Sequence, residues 1–293
     1  MLMKELLVFE AHASYVLGLN FTHDSQTLIS GGMDNLVKLW SVADWQLQNT
    51  LEGHTHSLNS FALSPDGKTL ATGSSDQTVK LWSFPEGQEL LTLQDRKKVV
   101  SSVRISADGR WVAAGSYGGR AAVWTLSGEE VVGIKASRKN LGTIALSPDG
   151  KILATAGLGD DILLWSLPSG EQIGTLSGHE TAVMSLEFGD EGRQLVSLGY
   201  DQAIKFWDTQ TWREVRGLRA DEPGVRSIAF SPDERIMALS LEGRVQFWSV
   251  DEWLLRTELP VDTKVVNGMA FSPDGGWFAA GAADRKIRVW ELD

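Results

Sequence analysis

The sequence contains no cysteine. Disulfides, thiolate metal sites and a cysteine nucleophile are therefore excluded. There is no apolar run of about 18 residues and no charged start followed by a short apolar core and a cleavage site. Neither a membrane-spanning helix nor a secretory leader is expected, and the expected location is cytoplasmic. Positive charge is also short. The 27 Lys and Arg face 38 Asp and Glu, a net charge of −11. Nucleic-acid binders usually carry a basic face, so nucleic acid is not an expected partner. An acidic surface more simply keeps a protein soluble. The phosphate-cradling pattern Gly-x-x-x-x-Gly-Lys-Ser/Thr, the zinc pattern His-Glu-x-x-His and the dinucleotide pattern Gly-x-Gly-x-x-Gly are all absent. No cofactor is expected. His54 and His56 are too isolated for a metal site, and Asp160-Asp161 reads as solvated turn chemistry.

What the sequence has is tryptophan, at a beat. Trp40, Trp82, Trp124, Trp165, Trp207, Trp248 and Trp290 follow one another at intervals of 42, 42, 41, 42, 41 and 42 residues. A fixed period of this size is one supersecondary unit copied along the chain. Three residues before each tryptophan stands Val37, Val79, Ala121, Ile162, Ile204, Val245 or Ile287. One residue before stands Leu39, Leu81, Val123, Leu164, Phe206, Phe247 or Val289. Apolar residues two apart, mostly β-branched or aromatic, are a strand. Ser64-Pro65-Asp66-Gly67 recurs as Ser106-Ala107-Asp108-Gly109, Ser147-Pro148-Asp149-Gly150, Ser231-Pro232-Asp233 and Ser272-Pro273-Asp274-Gly275, a hairpin turn in each case. Another strand follows each tryptophan, as in Gln88–Leu93, giving four per repeat. A sheet of that size cannot bury both faces alone, so the sheets must stack on one another.

The repeat boundaries fall near 11–52, 53–94, 95–136, 137–177, 178–219, 220–260 and 261–293. The last repeat stops three residues after Trp290 and lacks its fourth strand. Lys4–Phe9 aligns with Gln46–Leu51, so residues 2–10 are expected to complete it. The prediction is an all-β, single-domain, seven-bladed propeller of four-stranded antiparallel sheets spanning 1–293.

On these residues the chain resembles the WD-repeat β-propeller family over its whole length. It departs from the family signature in places. Trp207-Asp208 is the one true Trp-Asp among the seven, and Gly-His occurs at Gly53-His54 and Gly178-His179, with Ala11-His12 a variant. The resemblance implies a non-catalytic scaffold or sensor that binds proteins or peptides through loops around a central channel. Two alternatives stand beside it: an enzyme or small-ligand binder using the channel mouth, and a regulatory module detached from a larger signalling protein. An enzyme should show one non-repeating cluster of titratable residues, and none is apparent.

His12, Ser30, Asp34 and Trp40 have counterparts in His54, Thr72, Asp76, Trp82 and in His179, Ser197, Asp201, Trp207, with 22 residues from histidine to aspartate each time. Serine, histidine and aspartate together suggest nucleophilic catalysis, but a catalytic centre is built once and this set occurs three times. The family resemblance implies a structural chain of hydrogen bonds from indole through hydroxyl and imidazole to carboxylate. Asp76→Ala is expected to lower thermal stability without abolishing partner binding. The remaining repeats depart from the set: Gly118 and Glu242 replace the aspartate, Asp160 is displaced, and Asp284 keeps neither hydroxyl nor histidine, with Ala280 at the former. Drift accounts for this simply; recruitment of the freed loops for binding is the functional alternative.

Carried over by repeat alignment, the partner-facing positions include Met33, Ser75, Tyr117, Tyr200, Leu241 and Ala283, each before the turn aspartate or its equivalent. On the first strands they include Leu17, Asn59, Ser101, Gly142, Met184, Arg226 and Asn267. Tyr117, Tyr200, Arg226, Met33 and Met184 are the residue types that anchor interfaces. Arg96, Lys97, Lys98, Arg138 and Lys139 make two neighbouring loops basic, while Asp221, Glu222 and Asp262 lie in others. A solvated rim is the plain reading; a site for an acidic peptide segment is the functional one. Trp45, Trp212 and Trp253, with Trp111 and Trp277, form a second aromatic set, read as edge packing rather than a groove. A monomer is expected.

Overall fold

A computed structural model describes residues 3–94, 98–189, 192–219 and 225–292. Strands dominate, and no α-helix occurs among the described residues. The chain divides into two compact units, one of Met1–Asn59, Pro85–Gly87 and Glu222–Asp293 and one of Ser60–Phe84 and Gln88–Asp221.

The first unit holds three sheets. Blade 1 runs β2 (Val16–Phe21), β3 (Thr27–Gly32), β4 (Val37–Ser41), β5 (Leu47–Leu51). Blade 6 runs β22 (Ile228–Phe230), β23 (Ile236–Leu241), β24 (Arg244–Ser249), β25 (Leu255–Pro260). Blade 7 runs β26 (Val266–Phe271), β27 (Trp277–Ala282), β28 (Lys286–Leu292), and its fourth strand is β1 (Met3–Glu10). Leu7 pairs with Val289 and Phe9 with Ile287, antiparallel, with a bulge between Glu5 and Leu7. The same bulge falls at Leu39/Trp40 of blade 1, so the borrowed strand reproduces the register of an ordinary fourth strand.

The second unit holds the other four sheets. Blade 2 runs β6 (Leu58–Leu63), whose first two residues belong to the first unit, then β7 (Thr69–Ser74), β8 (Thr78–Ser83), β9 (Glu89–Gln94). Blade 3 runs β10 (Val100–Ile105), β11 (Trp111–Ser116), β12 (Arg120–Thr125), β13 (Glu130–Lys135). Blade 4 runs β14 (Leu141–Leu146), β15 (Ile152–Gly157), β16 (Ile162–Ser166), β17 (Gln172–Leu176). Blade 5 runs β18 (Val183–Gly189), β19 (Gln194–Gly199), β20 (Ala203–Asp208), β21 (Arg213–Arg219). All described pairings are between antiparallel neighbours, and seven such sheets are the seven-bladed β-propeller architecture.

The sheets stack through the faces that the alternation of apolar residues marks. Second strands are buried nearly throughout, while fourth strands such as β21 are mostly exposed. In the first unit β2 packs on β26, and a Cβ at Gly281 would come within 2.5 Å of Val16 Cγ1. Only glycine leaves room there for the neighbouring sheet. In the second unit the first strands are stitched by hydroxyls. Val103 N–H donates to Ser60 Oγ at 3.0 Å, and Leu186 N–H to Thr143 Oγ1 at 3.2 Å.

The Ser-Pro-Asp-Gly turns share one bonding scheme. Ser64 Oγ donates to Asp66 Oδ1 at 2.6 Å, Lys68 N–H donates to the same oxygen at 3.0 Å, and Thr69 N–H donates to Ser64 Oγ at 2.9 Å. Ser106–Asp108, Ser147–Asp149, Ser231–Asp233 and Ser272–Asp274 repeat it. The serine hydroxyl, with the backbone N–H, holds the Asp66 carboxyl below its ordinary range. These bonds fix the turn locally, before any tertiary contact is needed.

Candidate functional site

The tetrads of blades 5 and 1 close as continuous chains. In blade 5 the Trp207 indole N–H donates to Ser197 Oγ at 2.9 Å, Ser197 Oγ lies 2.7 Å from His179 Nε2, and His179 Nδ1 lies 3.0 and 3.1 Å from the Asp201 oxygens. Having accepted from the indole, the serine has its own proton to give, so it donates to Nε2 and the neutral ring donates from Nδ1 to the carboxylate. Burial pushes the His179 ring below its ordinary value, against the pull of Asp201. Burial raises the Asp201 carboxyl, but the Glu180 and Ala203 N–H groups and the His179 ring outweigh it and hold it low. A neutral imidazole beside an ionised carboxylate is the consistent state. Blade 1 repeats the chain of contacts with Trp40, Ser30, His12 and Asp34 at 2.9, 2.8 and 2.9 Å.

In blade 2 the Trp82 indole donates to Thr72 Oγ1 at 2.8 Å, and Asp76 Oδ1 accepts from Thr78 N at 3.0 Å and Thr78 Oγ1 at 2.6 Å. His54 is buried and belongs to the first unit, whereas the other members belong to the second. The serine of each described chain points inward to an indole and a ring nitrogen, so it is not presented to a substrate.

Elsewhere the set is replaced. Blade 4 keeps the indole–hydroxyl pair, Trp165 Nε1 to Thr155 Oγ1 at 2.9 Å. In blade 6 the Trp248 indole donates to Gln246 Oε1 at 3.0 Å. In blade 7 a buried Arg288 reaches Asp284 with Nη2–Oδ2 at 2.6 Å and Nη1–Oδ1 at 3.2 Å, and the Asp262 carbonyl at 3.4 Å. Burial raises the Asp284 carboxyl, and the Arg288 bonds, foremost among the opposing groups, bring it below its ordinary value. Arg288 has a sequence signal that the repeat comparison missed: it holds the position of Lys38 and Lys80, two residues before the tryptophan.

The positions expected from the sequence to face a partner separate by exposure. In the second unit Tyr117 is 45% exposed and Tyr200 64%, and between them in the series stands Leu158, 56% exposed. All three lie seven residues before their tryptophans. Their main chains are held alike, with Tyr117 N–H on Val99 O at 2.9 Å, Leu158 N–H on Asn140 O at 3.0 Å and Tyr200 N–H on Ala182 O at 2.9 Å. Sequence alignment missed Leu158 because the neighbouring aspartate had slipped by one position; counting back from Trp165 finds it. Met184 is half-buried. In the first unit Met33 is exposed, Arg226 is exposed, and Leu241 is buried.

The basic loops meet at the turn after Tyr117. Gly118 and Gly119 take φ of 102° and 79°, which favours glycine. The stem of Lys98 lies over Gly118, whose added Cβ would come within 3.5 Å of Lys98 Cγ. A Cβ at Gly119 would meet the Ser137 and Lys139 carbonyls at 2.1 and 2.5 Å, so the second basic loop is folded onto this turn. Lys135 Nζ donates to Gly118 O at 2.5 Å and Gly118 N–H donates to Asn140 Oδ1 at 2.9 Å. Lys98, Arg138 and Lys139 are exposed. Lys135 and Asn140 were not legible as members, because only the fold brings the end of β13 to this turn. Arg96, Lys97, Asp221 and Glu222 lie outside the described residues. In the first unit Trp45 and Trp277 pack edge to face, their ring centroids 5.4 Å apart. Among the described residues no three of His, Asp and Glu gather as a metal site, and no helix is long and apolar enough to cross a membrane.

Comparison with known proteins agrees with this architecture. Residues 15–219 match the family described as IFT122 first beta-propeller, and residues 212–249 and 254–291 match the WD domain, G-beta repeat. The mouse WD repeat-containing protein 3 is 29% identical over 79 residues, 23% of this chain and 8% of that protein. The Neurospora crassa transcriptional repressor rco-1 is 40% identical over 57 residues, 20% of this chain and 9% of that protein. The Schistosoma mansoni WD repeat-containing protein SL1-17 is 34% identical over 61 residues, 21% of this chain and 20% of that protein. The matches thus span only 8 to 20% of the length of these relatives. With seven four-stranded blades and family matches running through them, the chain belongs to the WD-repeat β-propeller family.

Proposed function

We propose that this chain is a non-catalytic scaffold holding a protein or peptide partner through the loops of blades 3 to 5. WD-repeat propellers generally serve as non-catalytic protein-binding scaffolds. The observation that carries the reading is the series Tyr117, Leu158 and Tyr200, three large exposed side chains at one position of successive repeats. Exposed aromatic and aliphatic anchors at matching positions are what interfaces use. Beside Tyr117 the cations Lys98, Lys135, Arg138 and Lys139 gather on a protein whose net charge is −11. A partner segment with acidic side chains beside an apolar one is the complement, the charge guiding encounter and the anchors supplying residence. Met33, Met184 and Arg226 are proposed as further contacts of the same kind. The naming of one relative as a transcriptional repressor is in keeping with work in protein assemblies. We take the 1–293 chain to act as a single cytoplasmic module and a monomer.

The test is affinity capture from cells that produce the protein, comparing it with a Tyr117→Ser/Leu158→Ser/Tyr200→Ser variant. Specific partners should fall by roughly thirtyfold, about 2 kcal/mol of lost anchoring, with the melting temperature unchanged. Undiminished capture contradicts the reading.

A further inference from the structure

Blade 4 carries the tetrad positions of blade 5 with the imidazole and carboxylate end cut away. Counted back from the tryptophan, His179, Ser197 and Asp201 correspond to Ser137, Thr155 and Gly159. The strand limits agree, since β14 and β18 each begin 24 residues before the tryptophan. The indole–hydroxyl end is intact, but the imidazole and carboxylate are replaced by a hydroxymethyl group and a hydrogen. The space has not closed. A cavity of about 220 Å³ is lined by Ser137, Thr155, Gly157, Gly159, Asp160 and Leu163, among others. A Cβ added at Gly159 would meet nothing within 4 Å.

The buried end of this cavity is chemically specific. Thr155 is 1% exposed and its Oγ1 accepts from the Trp165 indole at 2.9 Å. Among the described residues its own proton has only the Leu163 carbonyl, at 3.5 Å, the limit of a hydrogen bond. In blade 5 the equivalent proton meets an imidazole nitrogen at 2.7 Å. The walls at Ala136, Leu141, Ala156 and Leu163 suit the faces of a small ring, and the Asp160 carboxylate at the rim suits a ring N–H.

We propose that this cavity is a binding site for a neutral imidazole group, which would complete the interrupted tetrad of blade 4 from outside. The group enters either as the side chain of a histidine on a partner segment or as a small imidazole compound. Thr155 O–H donates to its unprotonated nitrogen, and Asp160 accepts from the other. The site adjoins the basic loop, since Arg138 and Lys139 also line it, but the exposed anchors Tyr117, Leu158 and Tyr200 do not.

The experiment follows the Trp165 indole N–H resonance of the intact protein at about pH 8.5, well above the histidine side-chain pKa of about 6.5, so that the probes are neutral. Imidazole should shift it saturably with a dissociation constant of about 1 mM. Pyrrole, a ring of the same size with no acceptor nitrogen, should bind at least about tenfold more weakly. Ser137→His/Gly159→Asp, which rebuilds the internal tetrad, should remove the response to imidazole. A Gly-Gly-His-Gly-Gly peptide separates the sources: a matching shift identifies a histidine side chain, and a response to imidazole alone identifies a small compound. No saturable shift, or equal binding of pyrrole and imidazole, overturns the proposal, and the pyrrole comparison does so without relying on a variant that folds. Undiminished binding by folded Ser137→His/Gly159→Asp overturns it as well.

Discussion

At the residue scale, the same fold position is satisfied in several chemical ways. Indole, hydroxyl, imidazole and carboxylate do it in blades 1 and 5, a guanidinium and a carboxylate in blade 7, a glutamine amide in blade 6. Asp201→Ala leaves a buried ring N–H without its acceptor, and should cost about 1–3 kcal/mol, read from the urea midpoint. Asp284→Ala leaves Arg288, 5% exposed, as an unpaired buried charge, and should cost about 3 kcal/mol. If it costs no more than a surface substitution, the ion pair is not structural. The tetrads also set a pH dependence. Burial lowers His179 below 6.5, so an unfolded chain binds its proton at a higher pH than the folded one. Its contribution to stability is whole above about pH 6.5 and drains as pH falls from there towards the folded value. Asp201, held below 3.8, adds a loss in the same direction at lower pH. Unfolding midpoints between roughly pH 8 and pH 5 should fall less steeply in His179→Gln than in the unaltered protein; parallel curves contradict this. The tetrads were legible because a histidine and an aspartate 22 apart repeat. Arg288 carried only the signal of its place two residues before Trp290, and its pairing with Asp284 opposite Ala280 shows only in the sheet.

At the element scale, strand periodicity and the Ser-Pro-Asp-Gly phrase carried the reading, and both are local. The phrase closes its own hydrogen bonds, so it tells the same story in any context. The fourth strands were harder, since β21 shows almost no burial pattern. Their start turns also differ: Gly87 and Gly170 take positive φ five residues after the tryptophan, while Trp45, Trp212 and Trp253 hold φ of 55–57° at that position. A bulky residue in that region is strained by about 1–2 kcal/mol, and ring packing such as Trp45 on Trp277 offsets it. The N-terminal strand is the clearest case of an element placed by counting. Leu7 and Phe9 pack on the core of the first unit, with Phe9 4.8 Å from the Trp40 ring. Deleting residues 1–10 exposes this core and the edge of β28. It should cost about 3 kcal/mol or more and lower the melting temperature by roughly 6–12 °C. A deletion that melts like the full chain removes β1 from any structural part.

At the scale of the whole molecule, the repeat made the family readable and left the partner unread. A period constrains what is common to all blades, whereas binding resides in what differs between them. Tyr117 and Tyr200 stood out by residue type; Leu158 needed the count from Trp165, and the convergence of Lys98, Lys135 and Lys139 on one glycine turn needed the fold. The net charge of −11 sharpens the test, because a uniformly acidic protein repels an acidic peptide. The most direct measurement is the fluorescence anisotropy of a labelled acidic peptide carrying a central leucine, titrated with the protein and with Lys98→Glu/Arg138→Glu/Lys139→Glu. Binding by the unaltered protein that weakens as salt is raised, and that the folded variant loses, is the predicted result. No binding, or binding that the charge reversals leave intact, contradicts the account.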